Sequence, residues 1–553
     1  MSEGDRDLVA LFVKVEQLET KLNQLAKYSK KTRQELEQLV IEMAGQSEDT
    51  EVPKPPEITT TSTVSSSPEI LPSSPPKIAI SEAETVKDLT DFEFRVERFL
   101  LLTGFYTDEI EIQGDRVYTD RLSAEAFLER YQEGESDFSG VNLFAIDLSN
   151  QTLNQAKQIN LSGANLIKAK LTNSRLSGII DLSSAYLRNA DLSQFLSSSV
   201  NFKKANLSYA IGIKADLSHS NFSGAILSYA DFSQAKMQRV NLSNACLNGA
   251  NLTKAELTYQ VNFKNAQLIE VNLTKANLRD GDFSNTDLRQ ANLTKANLRD
   301  ADLSNTDLRQ ANLTKANLIG VNLEGANLEG ANFKSALYDS KTIFPEGFNP
   351  QEAGAYLIAP YSNLNYADLS QADLQQVDLT SASLLGANLT EANLSQAKLL
   401  KANLGAAKLE KAKMCGTNLT AAKLNEAVLH NTDLGGTILT AADLTKAIFI
   451  EARISQTKFN GAIMKKVDLI GMTLQCDLSG VDFSESKLCG ANFSHAKISL
   501  ANFTSADVRG VNFERSDLEN ANFTNANIGG INWESAKLTG AIMPDGTKYQ
   551  AQT

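Results

Sequence analysis

Histidine is nearly missing from this chain: His219, His430 and His495 are the only three in 553 residues. They stand far apart, which leaves general acid–base chemistry few candidates. The four cysteines, Cys246, Cys415, Cys476 and Cys489, are scattered and show no zinc or redox spacing. They read as reduced thiols of a cytoplasmic protein. Met1–Asp7 is acidic where a secretory signal starts basic. The strongest apolar patch, around Phe99–Leu102, is too short for a membrane span. There is no glycine-rich phosphate loop, nucleophile elbow or metal-ligand cluster. The residues therefore predict no catalytic, cofactor-binding or metal-binding site, no cofactor and no enzyme.

What the chain has in abundance is repetition. Val271–Gln290 reads VNLTKANLRDGDFSNTDLRQ and Ala291–Gln310 reads ANLTKANLRDADLSNTDLRQ, differing at only three positions. Inside each block lies a five-residue unit: a small residue, Asn or Asp, Leu or Phe, then two polar residues. A fixed period decides the architecture before any other signal. The small residue and the Leu/Phe centre flank a polar residue, as in a strand with one buried face. The next two residues are turn-prone. An α-helix, with an apolar period of about 3.6, cannot carry this pattern. A square coil with one unit per side can, and residues twenty apart then stack at the ordinary strand spacing of about 4.8 Å.

The string ANLTKANLRD (Ala291–Asp300) and its neighbours resemble the pentapeptide-repeat family, whose pattern is A-(D/N)-L-x-x. The resemblance covers well over half the chain. It implies a right-handed, four-sided β-helix, and the family is especially abundant in cyanobacteria. It also implies that the Asp or Asn before each centre, such as Asp302 and Asp307, is there for structure rather than as a row of catalytic carboxylates.

The predicted class is mainly β: two right-handed quadrilateral β-helices preceded by a helical coiled coil and a small α/β cap. Residues 1–45 form the coiled-coil helix. Leu8, Val15, Leu22, Leu36 and Met43 share one heptad position, and Leu11, Leu18, Leu25 and Leu39 the other; Ser29 and Thr32 interrupt the seam. This predicts a homo-oligomer through residues 8–43, the alternative being a helix packed on its own protein. Residues 46–80 hold seven of the eleven prolines and form a disordered Pro/Ser/Thr-rich spacer, or less simply a proline-rich recognition segment. Residues 81–135 form a small region whose second helix starts at the cap Ser123 and carries Phe127, Leu128 and Tyr131. A stacked solenoid needs its ends covered, so capping is the first reading and an independent binding domain the second. An enzyme hidden here lacks histidine and cysteine.

Residues 136–338 are the first array, with forty centres from Phe138 to Tyr338. A three-residue insertion falls at Ala156–Gln158 and single insertions near Ile179 and Gln260. Ser197 and Gly212 fill centre positions poorly. Residues 339–360, with three prolines and two glycines, break the pattern. Their Phe344–Gly347 (FPEG) resembles Met543–Gly546 (MPDG), which suggests one terminator used twice. Residues 361–543 are the second array, with 37 centres and a one-residue deletion after Leu474. Late in it Phe483, Phe503 and Phe523 form one column, and Phe493, Phe513 and Trp533 another. Residues 544–553 are a thin tail, leaving an end that can meet a partner or a second copy.

The net charge of −13 is not evenly spread. Residues 1–140 carry −14, residues 141–338 carry +5 and residues 361–543 carry −2. Lys275, Lys295 and Lys315 form a basic column, as do Arg289 and Arg309, but each Arg sits beside an Asp. A nucleic-acid binder needs a clearly basic domain, so no direct nucleic-acid binding and no membrane span are expected. The reading is a non-catalytic protein–protein interaction scaffold whose protein partner the residues do not name. The alternative comes from the resemblance: some members of the family mimic DNA and bind a type II topoisomerase. Mimicry needs an extended acidic surface, since a duplex carries one charge per about 1.7 Å, and the arrays are nearly neutral.

Overall fold

The computed structural model describes residues 121–550 apart from 155–157 and 198. The chain divides into two compact units, Met1–Leu89 and Thr90–Thr553, and the described residues belong to the second. The heptads of residues 8–43, the spacer, and Val86–Ile112 lie outside them.

Each five-residue unit closes on itself before it meets its neighbours. In the unit of Leu293, Asn292 Oδ1 accepts from the Thr294 N–H (3.1 Å) and hydroxyl (2.6 Å). The Ala296 N–H donates to the Leu293 carbonyl (3.0 Å), closing a β-turn with Lys295 at φ 58°. Asp does the same work as Asn: Asp302 Oδ1 accepts from the Ser304 N–H (2.9 Å) and Asp307 Oδ1 from the Arg309 N–H (3.3 Å). The fifth residue of most units adopts this left-handed conformation, including Gln310, Glu391 and Tyr366. For a residue with a side chain that costs about 1–2 kcal/mol, and glycine takes the place at Gly320, Gly325 and Gly330.

Units then join between coils. The Leu293 N–H donates to the Asn312 carbonyl (2.8 Å), and the Asn312 N–H to the Ala291 carbonyl (2.9 Å). Parallel bridges run Asn272↔Asn292↔Asn312↔Asn332, each a step of twenty residues. Four units therefore make one coil. Only seven stretches among the described residues are long enough to rank as strands, β1 (Thr152–Leu153) to β7 (Tyr356–Leu357), all paired in parallel. The rest of the ladder is single bridges, because each side spares one or two residues for pairing before it turns.

Irregularities in the sequence emerge as steps in this ladder. Pairs span 23 residues across the insertion at Ala156–Gln158 (Asp137↔Asn160) and 21 across Ile179 (Asn165↔Tyr186). They span 21 again across Gln260 (Asn241↔Asn262) and 19 across the deletion (Lys458↔Asp477). Between these points the step returns to twenty, so each irregularity is absorbed locally, with Ile179 turned outward and exposed. The poor centre Gly212 has a physical reason: the Phe232 ring of the next coil fills its place, and a Cβ there would lie 2.3 Å from Cε1. Thr417, Thr432 and Thr437 stand where the unit has its small residue, and their buried hydroxyls donate to carbonyls of the preceding coil at 2.7–2.8 Å.

The ends are treated differently from one another. Before the first coil, α1 (Ala124–Gln132) is N-capped by Ser123, whose hydroxyl accepts from the Ala126 N–H (3.2 Å). It buries Phe127 and Tyr131, and the Phe127 ring lies 4.5 Å from that of Phe138, the first centre. After the last coil of this run, Phe344 and Phe348 close over Phe333 and Tyr338, with centroids 5.0–6.3 Å apart. The ladder of the first run extends from Asp137 through Ile343 to the pairing of β6 (Leu337–Tyr338) with β7 (Tyr356–Leu357), and it begins anew at Asn363↔Ser383. No described coil stacks on the start of the second run, yet Leu364, Leu369, Leu374 and Leu379 are fully buried. The first-run residues Ile319 and Leu337, with Ile358 of the connecting segment, belong to the same core cluster as these leucines. The second run thus begins against the flank of the first. At the far end, Ile542 pairs antiparallel with Lys548 in a hairpin turned by Met543–Gly546. The two similar strings share a left-handed glycine, Gly347 (φ 80°) and Gly546 (φ 84°). Only the first builds an aromatic lid, because Phe348 follows its glycine where Thr547 follows the other.

Two experiments test this geometry. Deleting Ala291–Gln310 removes one coil, and Lys275, Asn277 and Arg279 move into the places of Lys295, Asn297 and Arg299. Deleting only Ala291–Lys295 rotates all later coils by one side, and deleting Ala291 alone turns centres outward. Thermal melts should rank the three in that order of stability; a twenty-residue deletion melting at or below the five-residue one refutes the four-unit coil here. Secondly, Gly212→Leu restores the repeat pattern yet should destabilise by about 1–3 kcal/mol through overpacking. Combined with Phe232→Leu it should cost markedly less, a coupling readable in a double-mutant cycle.

Candidate interaction surfaces

Among the described residues no group of three or more His, Cys, Asp or Glu is placed to hold a metal ion. No helix among them is long and apolar enough to cross a membrane. His219 and His495 occupy exposed left-handed turn positions. His430 Nε2 lies 3.0 Å from its neighbour Asn431 Nδ2. None of the four cysteines forms a disulfide. Burial, then the charge of Asp477, pushes the Cys476 thiol up to about 12, and burial followed by Asp433 raises Cys415 as well. Neither is an activated nucleophile.

The charged columns neutralise themselves in place. Arg289 and Arg309 fork onto Asp287 and Asp307 at 2.7 and 2.6 Å. Arg279 reaches both Asp280 (3.5 Å) and Asp300 (3.4 Å). A hollow of about 370 Å³ lies over Arg289, Arg309 and Glu329, but its guanidiniums already have carboxylates.

The lysine column has a more specific task. A cleft of about 240 Å³ separates Lys275, Lys295 and Lys315 from Asp368–Asp373 of the second run. Lys315 Nζ bonds Asp368 (2.5 Å) and Ser370 Oγ (3.3 Å), and Lys295 Nζ bonds Gln371 Oε1 (3.1 Å). Asn317 Nδ2 donates to the Asp373 carbonyl (3.0 Å) and Arg299 to the Gln375 carbonyl (2.8 Å). These carbonyls belong to a first coil with no earlier coil to pair with, so the flank supplies the donors that a preceding coil would. Burial lowers the Lys295 pKa, and repulsion from Lys315 and Lys275 adds to it. Burial works to raise Asp368, but hydrogen bonds from Lys315 and Ser370 and the lysine's charge outweigh it and hold the carboxyl at about 2.

The sequence placed the lysine column and its spacing; what it faces was not legible. A signal existed in the repeat itself. Ile319 replaces a polar residue after its centre and Leu337 replaces the Asn or Asp before its centre, and both turn apolar side chains outward at the junction.

Profiles of known families match along both runs. Pentapeptide repeats match eight stretches, 136–179, 180–211, 215–253, 362–400, 402–440, 437–474, 476–515 and 516–545, and a pentapeptide repeat region matches 259–333. These cover more than half of the chain. The chain belongs to the pentapeptide-repeat family. A search of curated proteins returned no match. Among solved structures, a pentapeptide repeat protein of the Arabidopsis thaliana thylakoid lumen is 35% identical over 18% of this chain and 69% of its own, with a TM-score of 0.18. HetL, from the cyanobacterium Nostoc sp. strain PCC 7120 and involved in regulating heterocyst differentiation, is 22% identical over 78% of this chain and 100% of its own, TM-score 0.10. QnrB1, a plasmid-mediated fluoroquinolone resistance protein, is 15% identical over 46% and 88%, TM-score 0.19.

The junction makes a direct prediction. Lys315→Glu sets two carboxylates against each other and should raise amide hydrogen exchange across 361–380, while Lys315→Asp with Asp368→Lys restores protection. The pair is partly exposed and is worth about 1 kcal/mol or less, so the change should be about tenfold at most. Because the Asp368 pKa lies below its unfolded value of about 3.9, this contribution is complete above that range and is lost as pH falls toward about 2.

Proposed function

We propose that the chain is a non-catalytic scaffold for protein–protein interaction, built from two quadrilateral solenoids, 136–338 and 361–543, and oligomerised through residues 8–43. The carrying observation is the junction: hydrogen bonds and a shared apolar cluster seat the second run on the flank of the first. Flat faces held in a fixed relation suit simultaneous engagement of more than one site, and oligomerisation multiplies that by effective concentration. Family membership supports a repeat scaffold. Four cysteines held as thiols support a reducing compartment such as the cytoplasm. Residues 81–135 cover the first solenoid, a role supported by Phe127 against Phe138, and 339–360 serve as the connector. Pairing of Arg279, Arg289 and Arg309 with aspartates gives no extended acidic surface and weighs against topoisomerase mimicry.

Light scattering on the full chain should report more than one copy, and protein starting at Ser81 fewer copies. Affinity capture from the source organism should recover a protein partner with the full chain and less of it without residues 1–80. A monomeric full chain at micromolar concentration removes the coiled-coil reading.

A further inference from the structure

The junction inside the chain shows what a solenoid end requires of the flank that covers it. The covering flank is the side with centres Leu298, Leu318 and Tyr338. It offers outward apolar residues beside its centres, Ile319 and Leu337, and lysines two residues after the preceding centres, Lys295 and Lys315. The same arrangement recurs once in the second run, on the side with centres Leu429, Phe449 and Leu469. Ile448 precedes its centre and Ile450 and Ile470 follow theirs, with 42%, 58% and 56% of their surface exposed. Ile448 stacks on Val428 across the ladder, and Ile450 and Ile470 stand twenty residues apart. Lys446 and Lys466 occupy the unit positions of Lys295 and Lys315. Elsewhere, exposed isoleucines lack apolar ladder partners of this kind. Ile211 bridges Asp191 and Asp231, and Ile226 bridges Asn206 and Cys246.

An end that needs such a flank is also present. In the last coil the core residues Ile528 and Trp533, the small-position residue Ile531 and Met543 remain only partly buried. Phe523 is the last centre on its side to donate its N–H to a later residue, Ile542; Ile528, Trp533 and Leu538 make no such backbone bond among the described residues. The short hairpin of Ile542–Tyr549 covers one side only. Unpaired N–H groups at this edge would meet acceptors on Glu451 and Asp468, and Glu534 on the last coil would join Lys446 and Lys466, whose exposed ammonium groups reach Glu426 (3.1 Å) and Glu485 (3.3 Å) within their own run.

We propose that the open carboxyl-terminal end of one copy seats on the Val428/Ile448/Ile450/Ile470 flank of a second copy, reusing between molecules the apolar contact by which the first run covers the second within one, with the end donating N–H groups where the start of the second run offers carbonyls. End and flank are different surfaces, so the contact is heterologous and propagates head to tail. It is separate from the oligomerisation proposed for residues 8–43.

Trp533 is the only tryptophan and sits in the end itself, so the full chain carries its own probe. Seating should bury the indole and shift its emission to the blue. Wild-type protein should therefore emit further to the blue than Ile450→Glu/Ile470→Glu, increasingly so with concentration. Adding excess Trp533→Phe protein, whose flank is intact and whose emission is silent, should restore the blue shift of the double variant. Adding Trp533→Phe/Ile450→Glu/Ile470→Glu should not. Identical emission from wild type and double variant at every concentration overturns the proposal, and is the result expected of a chain that oligomerises through residues 8–43 alone. Failure of the intact-flank protein to rescue overturns it equally.

Discussion

The backbone ladder between coils is the constraint from which the rest of the structure follows. Each side of a coil donates two N–H groups to the next coil and accepts one back, as Leu293 and Lys295 donate to Asn312 and Thr314 and Asn312 donates to Ala291, with coils about 4.8 Å apart. That requirement keeps the register at twenty wherever nothing intervenes and confines each insertion to one corner, as at Ile179 and Gln260. It also explains why bulky residues such as Lys295, Gln310 and Tyr366 accept a left-handed conformation. The local cost is offset by the turn bond, the Asn or Asp side chain that braces it, and the ladder bond of the turn residue itself, as Lys295 makes to Thr314 at 2.9 Å.

A ladder of this kind has no natural end, and the molecule solves that problem in several ways. A helix closes the start of the first run, an aromatic lid closes its finish, and a flank of the first run closes the start of the second. The flank works because side chains of Lys315, Asn317 and Arg299 replace the donors that an earlier coil would have offered, while Ile319 and Leu337 replace its apolar contact. An apolar residue turned outward from a repeat is therefore informative: where such residues stack on consecutive coils, another surface belongs there.

Charge in this protein is arranged for structure. Asp residues before the centres accept backbone N–H bonds and hold arginines, so the same carboxylates brace turns and neutralise the columns beside them. The interior is filled by alternating small and large residues. Late in the second run two aromatic columns stack within each column at 4.8–5.4 Å and meet edge to face across the axis at 5.5–6.4 Å, leaving no room for a ligand. Recognition is accordingly left to faces and ends.

The sequence by itself determined the coil, since a five-residue period with two inward positions permits few other windings. The near-identity of Val271–Gln290 and Ala291–Gln310 set four units per turn. The positions of the insertions, the Ser123 cap and the aromatic columns were legible for the same reason: each is a departure from a strict local period. Tertiary structure alone decided what fills Gly212, because Phe232 is twenty residues away and several neighbours border the same space. It alone showed that FPEG forms a lid where MPDG forms a hairpin. It also decided what the lysine column faces. Lys315 and Asp368 are 53 residues apart across a connector without periodicity, and repetition specifies only how a coil meets the next coil, never how one stack meets the side of another.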